Sequence, residues 1–314
     1  MALTDKRINY KPFEYPEVLN FIQPINRTFW VHEELDFTSD IQDFHTKLSF
    51  KEKEVIKRSL LGIAQVEVGV KTFWGNLYSL FPKPEINGLG VTFAEDEWRH
   101  SEAYSRLLEV LGFNEEFINI LNIPVFKEKL QLIEQNLTTK DYVSKLLFFT
   151  IVIENSSLFS QFANILSFTR FKGYMKNVSN VIAWTSLDEM IHAEAGIYLI
   201  NKLKEEGTEI DIPSLENSIK EYVQYEANLL DWIYEEGELD FFTKENMLNF
   251  MKFRIDEALI KMGFAKIFNV SNEDIKSMAW FEEEILAQSL DDFFAKRPVD
   301  YTKHDKSITE NDLF

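Results

Sequence analysis

Glu97-Trp-Arg-His100 and Glu189-Met-Ile-His192 lie about ninety residues apart, each within helix-forming, largely apolar sequence. A helix puts residues i and i+3 on one face, so each Glu can share a metal ion with its His. Each pair has an earlier match. Glu67 ends the run Ile63-Ala-Gln-Val-Glu67, and Glu154 ends Phe149-Thr-Ile-Val-Ile-Glu154; both runs otherwise read as buried. Four carboxylates and two imidazoles on four helices make the ligand set of a dinuclear site inside a helical bundle. Glu97 with Glu189 or Glu154 could bridge the two ions. Four formal negative charges suit two divalent cations and would be costly together in low dielectric without them. The donor set favours hard or borderline ions such as Fe and Mn. A single Glu-x-x-His arises easily by chance in a chain with 52 acidic residues; two copies that use two of only five His do not.

Composition narrows the rest. The formal charge of −19 argues against binding a nucleic-acid backbone. With no Cys, this chain cannot carry thiol chemistry, thiolate metal sites or disulfides. The N-terminal residues MALTDKRINYKPFEYPEV lack an apolar core of signal length, and no unbroken run of eighteen apolar residues occurs. The expectation is a cytoplasmic protein with no membrane contact.

Residues 1–50 read as an extended arm with short helices, 51–290 as the helical metal domain, and 291–314 as a mobile polar tail. Periodicity predicts helices over Glu52–Leu80, stopped by Phe81-Pro-Lys-Pro, and Glu85–Leu111, stopped by Gly112. Short helices are expected within 114–137, then long ones over Thr139–Phe168 and Tyr174–Leu203. Further helices follow over Pro213–Glu235, 243–265 and 273–289. No run of short alternating segments suggests a sheet.

Several side chains fall near the presumed site. Tyr104 lies one turn past His100. Leu158 and Phe162 follow Glu154 at helical spacing and should form an apolar wall. Lys71, one turn past Glu67, reads equally well as a solvent-facing edge residue or as a donor to a ligand such as Glu97. Asp188 abuts Glu189 and could orient an imidazole. His32, His45 and His304 stand in polar surroundings and read as surface residues.

On these residues the chain resembles the small, radical-generating subunit of class I ribonucleotide reductase. The resemblance covers roughly Phe29 to Ser289 and the tail. It rests on Glu67, then Glu97-Trp-Arg-His100 with Tyr104 four residues on, then Glu154 with Leu158 and Phe162, then Asp188-Glu189-Met-Ile-His192. Phe29-Trp30-Val-His-Glu-Glu34 matches the family's early Phe-Trp, and Glu310-Asn-Asp-Leu-Phe314 its acidic C-terminal peptide; Tyr301 is the only Tyr of the tail.

The resemblance implies an all-α, ferritin-like bundle with additional helices, active as a homodimer. It implies a partner, the large subunit, which binds ribonucleoside diphosphates and supplies the cysteines absent here. Trp30, Asp188 and Tyr301 would carry a proton-coupled electron path, and the C-terminal tail would dock on the large subunit. The abundance of aromatics, 28 Phe and 6 Trp, suits an interface as well as a core.

One departure bears on the cofactor. Most members have Asp as the first ligand, whereas this chain has Glu67 and keeps Tyr104. In this it resembles the dimanganese subgroup, activated by superoxide, which implies two manganese ions. Two iron ions with a tyrosyl radical and dioxygen, or one manganese and one iron, are the alternatives. Two other functions remain open on the ligand set: a related ligand-binding oxidase or dimetal oxygenase, and a ferritin-like metal store.

Overall fold

Ser49 opens the first long helix with a reciprocal cap. Its hydroxyl accepts the Glu52 N–H while the Glu52 carboxylate accepts the Ser49 N–H. The helix ends at Glu67, not at Leu80 as its periodicity predicts. Exposed Val68 and Gly69 form a turn, and glycine is a poor helix former. The carbonyl groups freed at this break accept hydrogen bonds from the Lys71 ammonium, Glu67 O at 2.9 Å and Val68 O at 3.0 Å.

The computed structural model describes residues 2–138, 141–241 and 243–285. Helices within them are α1 (Leu19–Arg27), α2 (Thr38–Thr46), α3 (Phe50–Glu67), α4 (Val70–Gly75), α5 (Leu77–Leu80), α6 (Pro84–Leu111), α7 (Asn114–Ile118), α8 (Pro124–Thr138), α9 (Tyr142–Phe148), a π-helical segment (Phe149–Ser157), α10 (Phe159–Lys172), α11 (Lys176–Glu205), α12 (Ile212–Ile233) and α13 (Lys244–Lys261). No strand occurs among the described residues.

The fold is an all-α, ferritin-like bundle with extra helices. α3 packs on α6 and α10, and α11 packs on α6, on α10 and on the π segment, which closes a four-element ring. α12 packs on α3, α8 and α13, and α13 on the π segment. Residues 2–50 carry short helices, and Leu3, Val18, Ile25, Trp30, Phe37 and Phe44 among them are buried.

The predicted third helix runs from Tyr142 through the π segment to Lys172; its proposed start at Thr139 lies outside the described residues. The helix over Tyr142–Lys172 is long and apolar enough to cross a membrane, but 94% of its most apolar window is buried inside the fold. Burial against three other elements accounts for that composition. The expected 243–265 helix stops at Lys261, and in place of a helix starting at 273 there is a 3-10 turn at Lys276–Met278 followed by helical residues 280–285. Tyr301, His304 and the tail peptide lie outside the described residues.

Two close approaches set the spacing of the bundle. A Cβ on Gly90 of α6 would sit 2.5 Å from the Trp74 carbonyl oxygen, so α4 reaches the bundle interior only over a glycine. A Cβ on Gly196 of α11 would sit 2.2 Å from Thr150 Oγ1 on the π segment. Glycine at these points lets the backbones meet.

Candidate metal centre

Glu67 comes from the end of α3, Glu97 and His100 from α6, Glu154 from the π segment, and Glu189 and His192 from α11. All six are at most 2% exposed. They form two groups whose ligand atoms lie within 4.8 Å of one another: Glu67, Glu97, His100 and Glu189, and Glu97, Glu154, Glu189 and His192. Glu97 and Glu189 belong to both groups, so they are placed to bridge. Glu154 is less free to do so, because its Oε1 accepts the Trp74 indole N–H at 2.8 Å.

Both imidazoles turn Nδ1 toward this carboxylate cluster. His100 Nδ1 lies 3.4 Å from Glu97 and 3.2 Å from Glu189. His192 Nδ1 lies 3.1 Å from Glu97 and 3.4 Å from Glu154. Neither Nδ1 makes a hydrogen bond, nor do both oxygens of Glu67 and Glu97, Glu154 Oε2 or Glu189 Oε1. Buried polar atoms are normally satisfied. Eight such atoms converging on one point fit two divalent cations, which would complete every one of them.

Without metal the cluster is electrostatically costly. Burial pushes the Glu67 and Glu154 carboxyls well above the ordinary range, and neighbouring carboxylates push the same way. Burial alone would lower both imidazoles, but Asp96 and the surrounding carboxylates outweigh it and raise both well above their usual value. Glu189 goes the other way: burial would raise it, but its close approaches to Glu154, His100 and His192 outweigh burial and hold it low.

The Nε2 atoms face outward, each to an Asp of the opposite helix. His100 Nε2 lies 3.3 Å from Asp188 Oδ2, and His192 Nε2 lies 3.0 Å from Asp96 Oδ2. Asp188 also accepts the Trp30 indole N–H at 2.8 Å, and Trp30 stacks on His100 with ring centres 5.8 Å apart. Trp30, Asp188 and His100 thus form a continuous buried chain. Burial, with the charge of Asp96, pushes Asp188 up to about 6.

Asp96 is absent from the sequence reading above. Its signal was present, since Asp96-Glu97-x-x-His100 repeats the pattern Asp188-Glu189-x-x-His192. Trp74 was also missed; nothing local links it to Glu154. Lys71 sits at the helix break beside Glu67. It is half-buried and bonds backbone carbonyls and Ser101 Oγ, at 3.2 Å, rather than the Glu97 carboxylate. Tyr104 is buried on α6, its phenol pushed well up by burial and then by the charge of Glu67. Leu158 and Phe162 are buried too, but the π turn before them changes the α-helical spacing from Glu154 on which their direction was predicted. His45 is exposed and His32 half-buried.

Residues 7–274 match the family described as ribonucleotide reductase, small chain. The chain belongs to that family. In general function it is a class I small subunit, the radical-relay half of an oxidoreductase. Relatives include the probable ribonucleoside-diphosphate reductase small subunit of Invertebrate iridescent virus 3, 26% identical over 96% of this chain and 86% of the relative. The ribonucleoside-diphosphate reductase small subunit of Dictyostelium discoideum is 25% identical over 96% and 88%. Among solved structures, the ribonucleotide reductase R2 subunit from Clostridium botulinum superposes with a TM-score of 0.79 at 16% identity, covering 91% of this chain and 94% of that one. Dimanganese(II)-NrdF from Streptococcus sanguinis gives 0.76 at 17% identity, covering 91% and 99%. At those identities the small-chain likeness is one of fold.

Proposed function

We propose that this small chain generates and stores a one-electron oxidising equivalent and delivers it to a large subunit that reduces ribonucleoside diphosphates. The observation that carries the reading is the chain Trp30–Asp188–His100, because an oxidase or a metal store has no use for a buried path leading away from the centre. Glu67, Glu97, His100, Glu154, Glu189 and His192 would hold two ions. When bound, two redox-active ions supply the oxidising equivalent. Around them the protein excludes water and fixes both imidazoles through Asp188 and Asp96. Asp188 is placed to take the indole proton when Trp30 gives up an electron, which keeps the indole neutral. Tyr301 would continue the path, and the C-terminal tail would dock on the large subunit.

We favour two manganese ions activated by superoxide, on Glu67 together with Tyr104. Reconstitution with Mn(II) alone, Fe(II) alone or both, each assayed with the large subunit, tests this. Full activity from iron and dioxygen with none from manganese would refute the metal assignment while leaving the subunit assignment standing. Loss of turnover on removing 301–314, with metal loading intact, separates the reading from an oxidase or a store.

We also propose a homodimer. Val91 and Trp98 on α6, seven residues apart on one stripe, are 61% and 53% exposed, as Phe29 is at 57%. Apolar surface of this kind suits an interface. Sedimentation of Trp98→Glu should shift a dimer toward monomer; a wild-type monomer at micromolar concentration would contradict the proposal.

A further inference from the structure

The two Asp behind the imidazoles keep unlike company. Asp188 bonds His100 and the neutral indole of Trp30. Asp96 bonds His192 through Oδ2, and its Oδ1 pairs with the Arg99 guanidinium. Arg99 is 6% exposed. Its Nε donates to Glu95 at 3.1 Å, and its Nη1 to the Trp30 carbonyl at 3.2 Å. Its guanidinium lies 4.5 Å from the centre of the Phe29 ring. So a buried cation compensates the carboxylate bonded to His192, which reaches His100 Nε2 only at 3.9 Å, whereas no Lys or Arg pairs with Asp188 among the described residues. Lys71 approaches the His100 half, but it is half-buried and donates to main-chain carbonyls, where solvent screens it. Glu95 is half exposed and offsets Arg99 only weakly for the same reason.

We propose that Arg99 is a positioning residue that makes the two halves of the centre unequal, weakening the half with Glu154 and His192 for cations relative to the half with Glu67 and His100. The inference rests on the dinuclear-metal reading. An imidazole bonded to an uncompensated carboxylate donates more strongly to a cation, and the Arg99 guanidinium draws on the carboxylate that is bonded to His192. A guanidinium is a permanent cation, so the inequality is built in.

The test is Mn(II) titration of the metal-free full-length protein, followed by calorimetry and by the resonance of free Mn(II). Wild type should bind two ions in two steps. The weaker step should disappear in Glu154→Gln, which removes a ligand that only the His192 half has. Arg99→Gln should tighten the weaker step on the order of tenfold. Arg99→Lys, which keeps the charge, should restore the wild-type gap. Asp96→Asn, which leaves Arg99 uncompensated, should weaken the step at least roughly tenfold. A role in stability alone predicts weaker binding in all three variants. Unchanged or weaker binding by folded Arg99→Gln overturns the inference. If Arg99→Gln does not fold, equal weakening in Arg99→Lys and Asp96→Asn overturns it. Two wild-type ions of equal affinity overturn it alone, whereas no binding of Mn(II) or Fe(II) at either half ends the dinuclear reading itself.

Discussion

Asp96 on α6 holds the imidazole of His192 on α11, 3.0 Å from its Nε2, while Asp188 on α11 holds His100 on α6. Each ligand helix therefore supplies the outer partner of the other helix's His. The exchange locks the two helices in register and fixes which ring nitrogen faces the cluster. Replacing Asp188 by Ala should reduce affinity at the His100 half by about 10- to 100-fold and also free the Trp30 indole. Mn(II) titration reads the first effect, and faster exchange of the Trp30 indole proton reads the second.

Trp74 bears on the opposite half. Trp74→Phe keeps the ring in contact with Phe93 and Phe149 but removes the donor to Glu154. The lost bond to a carboxylate is worth about 1.5–3 kcal/mol. Metal stoichiometry should fall toward one ion under limiting metal; two ions held with wild-type affinity would contradict the role given to this bond.

Gly196→Ala forces a methyl into Thr150 on the π segment. We expect about 1–3 kcal/mol of destabilisation, measurable by denaturant unfolding. Thr150→Ala should be mild, because the Thr150 hydroxyl has no hydrogen-bond partner to lose.

Metal-free protein should lose stability as pH rises from 6 to 8. Both imidazoles are raised in the fold, so their contribution is present below the unfolded value and is lost as pH passes the folded one. Glu67 and Glu154 are raised as well, so the fold resists the ionisation that the unfolded chain undergoes freely, whereas Asp188, raised only to about 6, has lost most of its contribution by the start of this range. Glu189 and Asp96 are held low, so their contribution is already complete above pH 6. Bound divalent ions take the place of the protons and should remove the slope. Calorimetry in chelator at pH 6, 7 and 8, repeated with Mn(II), checks both halves; a midpoint rising with pH in chelator would contradict the assignment.

Tyr104→Phe distinguishes two ways of storing the oxidising equivalent. If it resides on the metals, the variant should keep most of its activity with the large subunit. Lost nucleotide reduction with intact metal content would move the radical to Tyr104.

Residues close in sequence carried the parts of this protein that could be read directly. Glu97 with His100 and Glu189 with His192 are fixed by helical spacing, and Glu67 and Glu154 stood out as charges in apolar runs. The same locality explains the stop at Gly112, which follows directly after α6. What spacing could not reach depends on contacts between elements. The break after Glu67 is stabilised by Lys71 and lets Trp74 approach over Gly90 to Glu154. The π turn around Glu154 is packed by α11 and α13, and no periodicity announces it. Asp96 repeats a legible pattern, yet its partner lies 96 residues away on another helix, so only the folded bundle decides which imidazole it holds. A helix fixes which residues share a face; the burial of four such faces against one another fixes what each charge must meet.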